Sequence, residues 1–284
     1  MVSEDRADRM GQVLGGRFRI DGAVGRGAMA EVFRAVDEAT GAHVAAKILR
    51  RALAGDRAVQ QRFAREGEVQ ARLRHRNVAA LLATGLTEGE EPYLVVELLR
   101  GATLRGVIKQ EGRVAPRRAL SYAWQALQGL EAVHAAGVLH RDLKPANVML
   151  EPSPGPVERV VLIDFGFASF EGSARLTAQG TVVGSLRYIA PERLLGGTID
   201  QRSDVYAIGI MFYELLTGHP PFDSSDDVEL IDQQLHAAPP PLAPGLPPIV
   251  DELLAIALAK HPDDRFPTAR DMASALEQVA RQLG

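Results

Sequence analysis

The chain has 284 residues, 46% hydrophobic and 24% charged, with a formal net charge of −4 and no cysteine. That is a globular composition with enough length for two packed units. It excludes disulfides, thiolate metal sites and cysteine nucleophiles, and it offers no overall basic field to draw nucleic acid.

The N-terminal run MVSEDRADRMGQ is charged and lacks an apolar signal core, and no later run is apolar enough to span a bilayer. A cytoplasmic location is therefore expected, either of the whole protein or of the cytoplasmic part of a longer, membrane-anchored one. No repeat at solenoid or propeller spacing is present.

Residues 1–16 read as a polar extension. From 17 to about 36 the pattern is extended around a glycine-rich turn, and Asp37-Glu38-Ala39-Thr40-Gly41 is a turn signal before a strand over 43–49. Val59, Phe63, Val69 and Leu73 recur at helical spacing, which predicts a helix over 56–75. Strands over 79–84 and 92–98 follow. Beyond Leu104 helical patterns dominate, at roughly 116–137, 203–217, 226–236, 249–259 and 268–282, and the proline-rich stretch 239–248 reads as a stiff loop between helices. A strand-rich first part thus precedes a helix-rich second part, an α+β organisation with the joint near 97–101.

The chemistry is concentrated in His140-Arg141-Asp142-Leu143-Lys144-Pro145-Ala146-Asn147 and, after an apolar segment, Asp164-Phe165-Gly166. Asp142 is suited to accept a proton from an attacking hydroxyl. Asn147 and Asp164 offer hard oxygen ligands of the kind magnesium takes. Together these motifs resemble the eukaryotic-type protein kinase family, and the Ala/Arg-rich character looks most like its bacterial serine/threonine branch. The resemblance covers about residues 17–280. It implies a bilobal fold, with an N-lobe over about 17–96, a hinge over about 97–101 and a C-lobe over about 102–284, and with ATP and Mg²⁺ (Mn²⁺ as a substitute) held between the lobes.

The remaining motifs match the same family in order. Gly25-Arg26-Gly27-Ala28-Met29-Ala30-Glu31-Val32 resembles its glycine-rich loop, with Ala30 where the third glycine usually stands. Glycine there lets backbone amides approach phosphates without a side chain intervening. Val44-Ala45-Ala46-Lys47 resembles the segment whose lysine holds the α and β phosphates, and Glu66 matches the carboxylate that pairs with it, with Glu68 the alternative. By the same resemblance Val24, Val32, Ala45 and Met149 line the adenine slot, Val96 is the gatekeeper, and Glu97 to Leu99 form the hinge. Lys144 would sit near the γ-phosphate.

The Asp-Leu-Lys-Pro form of the loop and Ser185, in Gly184-Ser185-Leu186-Arg187-Tyr188, resemble kinases that act on Ser/Thr. His140 and His134 are expected to be structural. Glu192, in Ala190-Pro191-Glu192, is expected to pair with Arg265, and Asp204 to hold the catalytic-loop backbone. Among the hydroxyls Ser169, Ser173, Thr177 and Thr181, Thr177 and Thr181 are the best-placed phosphorylation sites, with Arg141 their phosphate-binding partner.

The expected activity is phosphoryl transfer to proteins, the chain itself included, with dimerisation compatible. A nucleotide-binding scaffold without chemistry would have lost Lys47, Asp142 or Asp164. A small-molecule kinase would not need the Ala190-Pro191-Glu192 and Gly184–Tyr188 segments.

Overall fold

Residues 8–155, 157–164 and 186–283 are described by the structure, a computed structural model. Over these residues one compact unit falls within Met1–His75 and Ala79–Arg100, and the other within Arg76–Val78 and Gly101–Gly284.

The first unit is a six-stranded antiparallel sheet and one helix. In chain order its strands are β1 (Val13–Leu14), β2 (Phe18–Arg26), β3 (Ala30–Asp37), β4 (His43–Leu49), β5 (Leu81–Leu86) and β6 (Pro92–Glu97), arranged β1-β2-β3-β4-β6-β5. The helix α1 spans Arg57–Gln70 and starts at Asp56, whose carboxylate accepts from the amides of Ala58 (2.9 Å) and Val59 (3.2 Å). Alternation along β4 splits its side chains between two cores. Val44, Ala46 and Ile48 join Phe18, Ile20, Phe33, Tyr93 and Val95, whereas Leu49 joins Leu94 and the α1 residues Val59 and Phe63.

The segment expected as a polar extension is partly built into this unit. Leu14 is buried, and Arg9 donates to the buried carboxylate of Glu91 at 3.2 Å, which Arg51 also reaches at 2.9 Å. A carboxylate inside the unit needs cationic partners, and a partner 82 residues away in sequence leaves no local pattern.

The second unit is mainly helical. It holds β7 (Ala102–Thr103), α2 (Leu104–Glu111), α3 (Pro116–Ala135), β8 (Val148–Glu151), β9 (Arg159–Leu162), α4 (Pro191–Leu194), α5 (Gln201–Thr217), α6 (Asp227–His236), α7 (Pro248–Ala257) and α8 (Ala269–Gln282). β7, β8 and β9 form a small antiparallel sheet. Helix α5 is its axis: every residue from Ser203 to Leu216 is buried. A helix buried on all sides belongs at the centre of a core. Asp200 caps its start, and Gly218, with φ of +87°, ends it in the left-handed conformation that suits glycine. No helix among the described residues is long and apolar enough to cross a membrane.

Residues 76–78 join this second unit because Asn77 is bonded into it. Its Nδ2 donates to the Val160 carbonyl (2.6 Å) and to Gln125 Oε1 (3.3 Å), and its carbonyl accepts from Leu162 N–H at 2.9 Å. Helix α3 passes so close that a Cβ on Gly129 would lie 2.6 Å from the Asn77 carbonyl oxygen, so only glycine fits.

Glu192, on α4, is clamped by Arg265: Nη1 donates to Oε1 (2.9 Å) and Nη2 to Oε2 (2.7 Å), and the Arg265 side chain is 0% exposed. Ser203 Oγ donates to the same carboxylate at 2.5 Å. Burial pushes the Glu192 pKa up, but the hydrogen bonds from Arg265 and Ser203 outweigh it and hold it below the ordinary 4.5. A carboxyl with a depressed folded-state pKa adds stability above its unfolded pKa and loses it as pH falls through the folded value. Arg265→Met leaves Glu192 buried without its cation and is expected to cost about 3–5 kcal/mol. Urea unfolding at neutral pH measures that loss. The gap between variant and wild type should narrow as the buffer is taken below pH 4.5, the ordinary value for Glu192.

Candidate active site

In the first unit, Lys47 Nζ donates to Glu66 Oε1 at 2.7 Å, with the side chains 19% and 10% exposed. Two periodicities make this pair. On α1, Val59, Phe63, Glu66 and Gln70 are all buried, spaced three and four apart on one face. Glu68 lies two positions beyond Glu66 and is exposed. On β4, Lys47 and Ala45 share a face by the two-residue repeat, and the register sets Val32 and Leu94 opposite Lys47 and Val96 opposite Ala45. Val32, Ala45, Lys47 and Val96 therefore project from one face of the sheet.

The glycine-rich turn joins β2 to β3. Gly25 pairs with Val32 and Arg26 with Glu31, and Gly27 N–H donates to the Ala30 carbonyl at 2.8 Å. Arg50 ties the tip back, its side chain to the Ala28 carbonyl and its amide to the Met29 carbonyl, both at 2.9 Å. Gly25 has no left-handed φ, and a Cβ there would meet nothing within 4 Å. The strand register shifts between Ala23 and Gly25, an irregularity at which glycine is common. Val24 is 58% exposed beside it. Glu97 closes β6, its carboxylate accepting from Ala80 N–H at 2.9 Å. Leu99 is half-buried just beyond.

In the second unit, the catalytic-loop motif folds back on Asp142. Lys144 Nζ donates to both carboxylate oxygens (2.9 and 2.8 Å), while Asn147 Nδ2 donates to the Asp142 carbonyl and to its Oδ2, both at 2.8 Å. Ile163 N–H donates to the Asn147 carbonyl at 3.0 Å, which brings the strand leading to Asp164 alongside the loop. Met149 is half-buried on β8. Arg141 and Asp164 both take left-handed φ, +65° and +54°. For residues other than glycine this costs on the order of 1–3 kcal/mol each, and such strain persists where surrounding contacts enforce it.

Asp204 enforces it at Arg141. Sitting in the first turn of α5, it accepts from His140 N–H (2.8 Å) and Arg141 N–H (2.9 Å), and it pairs with His134 Nε2 at 2.8 Å. Burial pushes its pKa up, but the His134 hydrogen bond, the neighbouring imidazoles and the backbone donor bring it below the ordinary 3.8, so it stays ionised. His140 is fully buried, and burial holds its ring below the ordinary 6.5 against the pull of Asp204, Asp142 and Asp164. A neutral, enclosed imidazole fits a structural role.

No group of three or more His, Asp or Glu side chains that could hold a metal exists among the described residues. Asn147 and Asp164 still suit a hard divalent ion, because magnesium takes one or two protein oxygens and fills its remaining positions from phosphates and water. With Nδ2 engaged by Asp142, the Asn147 amide oxygen is the atom left to coordinate. Phe165, Gly166, Thr177, Thr181 and Ser185 lie outside the described residues. Asn77 and its bonds to the strand before Asp164 went unnoticed in the sequence, since its partners are mainly backbone atoms of distant segments.

The sequence profile described as the protein kinase domain matches residues 18–276. The chain belongs to the protein kinase family. Membership implies use of ATP and a divalent metal ion. Among curated kinases, the Mycobacterium tuberculosis "Serine/threonine-protein kinase PknA" is 37% identical over 275 residues, covering 95% of this chain and 63% of its own length. The Corynebacterium glutamicum "Probable serine/threonine-protein kinase PknB" is 36% identical over 281 residues, 95% of this chain and 43% of its own. The chain thus spans roughly two fifths to two thirds of the length of these relatives. The crystal structure of the Mycobacterium tuberculosis PknI kinase domain superposes with a TM-score of 0.70 at 27% identity, over 95% of this chain and 98% of that one. The kinase-domain architecture read from the sequence is the one observed.

The Lys47–Glu66 geometry yields a direct expectation. Lys47→Met and Glu66→Gln should each weaken ATP affinity, measured by calorimetry, and their double-mutant cycle should show a coupling of about 0.5–3 kcal/mol, as for residues in contact. Glu68→Gln should bind as wild type does. A cycle that is additive for Glu66 would assign the pairing to another carboxylate.

Proposed function

We propose that the chain is an ATP-dependent kinase that transfers the γ-phosphate to serine and threonine hydroxyls of proteins, itself included. The observation that carries this reading is the Asp142–Lys144–Asn147 cluster, a carboxylate held by two side chains of its own loop. The named serine/threonine kinases among the relatives support the acceptor class.

In this mechanism Lys47, fixed by Glu66, holds the α and β phosphates of ATP, and the amides of Gly25, Arg26, Gly27, Ala28, Met29 and Ala30 lie over the phosphate chain. Val24, Val32, Ala45, Val96 and Met149 line the adenine slot, with main-chain hydrogen bonds from Glu97 and Leu99. Ser185 helps to seat the acceptor. Asn147 and Asp164 would hold the divalent ion, Mg²⁺ with Mn²⁺ as a substitute, which when bound would offset the phosphate charge. Asp142 takes the proton of the acceptor hydroxyl as its oxygen bonds to the γ-phosphorus. The bond from that phosphorus to the bridging oxygen breaks, and ADP leaves. Lys144 moves from Asp142 towards the transferring group and stabilises its charge.

Asp142→Asn keeps the size of the side chain but removes the base, along with one of the two oxygens that accept from Lys144 and Asn147. Turnover on casein, followed with labelled ATP, is expected to fall by at least about 10²-fold, with ATP affinity kept. Wild-type turnover would remove Asp142 from the role.

Control by loop phosphorylation follows from the same reading, with Arg141 as the partner of a phosphate on Thr177 or Thr181. A phosphate adds about −1.5 to −2 charges and orders a segment through paired hydrogen bonds. Pre-incubation with ATP should abolish a lag in activity, and mass spectrometry should find phosphate on one or both threonines. The Thr177→Ala, Thr181→Ala double variant should keep its melting temperature and lose most of its turnover. Unmodified threonines in fully active protein would refute this control.

A further inference from the structure

We infer that Arg193 is a positioning residue for Asp142 and acts through the main-chain carbonyl of Arg141. Arg193 lies on α4 immediately after Glu192, and its Nη1 donates to the Arg141 carbonyl at 2.6 Å. That carbonyl belongs to the peptide unit that leads into Asp142. The preceding peptide unit, carrying the Arg141 N–H, is held by Asp204 Oδ1 at 2.9 Å. Both peptide planes flanking Arg141 are therefore gripped, Asp204 from α5 and Arg193 from α4. Between them they hold a residue with φ of +65° that would otherwise relax.

The placement is specific. Glu192 anchors α4 independently through Arg265 and Ser203, so the guanidinium of Arg193 is not what holds this helix in position. Burial pulls the Arg193 pKa down, and the carboxylates of Asp204 and Asp142 counter it. Arginine nevertheless stays charged in proteins, so the donor to Arg141 is a half-buried cation beside the loop. Without that donor the Arg141–Asp142 peptide loses one of its restraints, and a rotation about the Arg141 ψ would shift the Asp142 side chain that follows.

This inference rests on the proposed role of Asp142, and the test separates the two. Turnover on casein is measured with labelled ATP for Arg193→Met and Arg193→Lys, each made in the wild-type chain and in the Asp142→Asn background. Losing a charge-assisted hydrogen bond of ordinary strength corresponds to a fall in kcat of about 10–100-fold for Arg193→Met. The KM for ATP should stay within about twofold, because the nucleotide anchors proposed on Lys47 and the glycine-rich turn are untouched. Arg193→Lys, which keeps a cationic donor, should recover most of the loss. In the Asp142→Asn background Arg193→Met should cost less than about twofold more, since residues that act as a unit are not additive.

The inference is overturned if Arg193→Met turns over as wild type does, if only the KM for ATP rises, or if the loss is as large without Asp142 as with it. Full turnover by Asp142→Asn alone would overturn the proposed role of Asp142, and this inference with it. If Arg193→Met does not fold, Arg193→Gln decides, because it removes the charge and shortens the side chain, so the charge-assisted bond to the Arg141 carbonyl is lost. A lowered kcat at constant KM then supports the inference, and wild-type kcat overturns it.

Discussion

A single buried carboxylate, Asp204, organises the second unit around its chemistry. Taking an ion out of water costs several kcal/mol, and the structure offsets that cost with His134 and with two consecutive backbone N–H groups, those of His140 and Arg141. The first turn of α5 helps as well, because the amides of a helix N-terminus favour negative charge. Because α5 is buried along nearly its whole length, the carboxylate rides on an element at the centre of the unit's core. The catalytic loop is thus referenced to the core and not to the surface. Its strained residue, Arg141, is tolerable only under that constraint.

Ion pairs set the remaining positions, one in each unit. Lys47–Glu66 links β4 to α1, and Glu192–Arg265 links α4 to the loop that precedes α8. In both, the partners come from different elements and are largely shielded from water, so removing one partner costs more than at a surface bridge, because the other charge is left buried and uncompensated. The functions differ. Lys47 keeps 19% of its side chain exposed, consistent with a cation that also has a ligand to meet. Arg265 has none exposed, directs its donors to Glu192 and to main-chain carbonyls, and serves the fold alone.

Asp142 shows how a short motif builds its own geometry. Lys144 is two residues away and Asn147 five, yet both reach the same carboxylate, because a 3₁₀ turn over Pro145–Asn147 folds the loop back. The Pro145 ring predisposes that turn. Such a cluster is legible as a string of letters, since every partner lies within one turn of chain.

That locality marks what could be read from the chain alone. The resemblance to the kinase family, and with it the roles expected of Lys47, Asp142, Asn147 and Asp164, rests on short motifs written in neighbouring letters; the choice of Glu66 over Glu68 also follows from helical spacing, because a helix converts separation in sequence into direction in space. The longer helices and the strand over 43–49 were equally legible for that reason. The short strands β1, β7, β8 and β9 were not, because two to four residues carry too little period to stand out. Tertiary structure alone decided that Arg9 and Leu14 are buried, that residues 76–78 join the helical unit, and that Arg193 meets the Arg141 carbonyl. In each case the partners are far apart along the chain, and several are backbone atoms. A carbonyl or an amide is the same at every position, so no choice of amino acid announces which one a distant side chain will find.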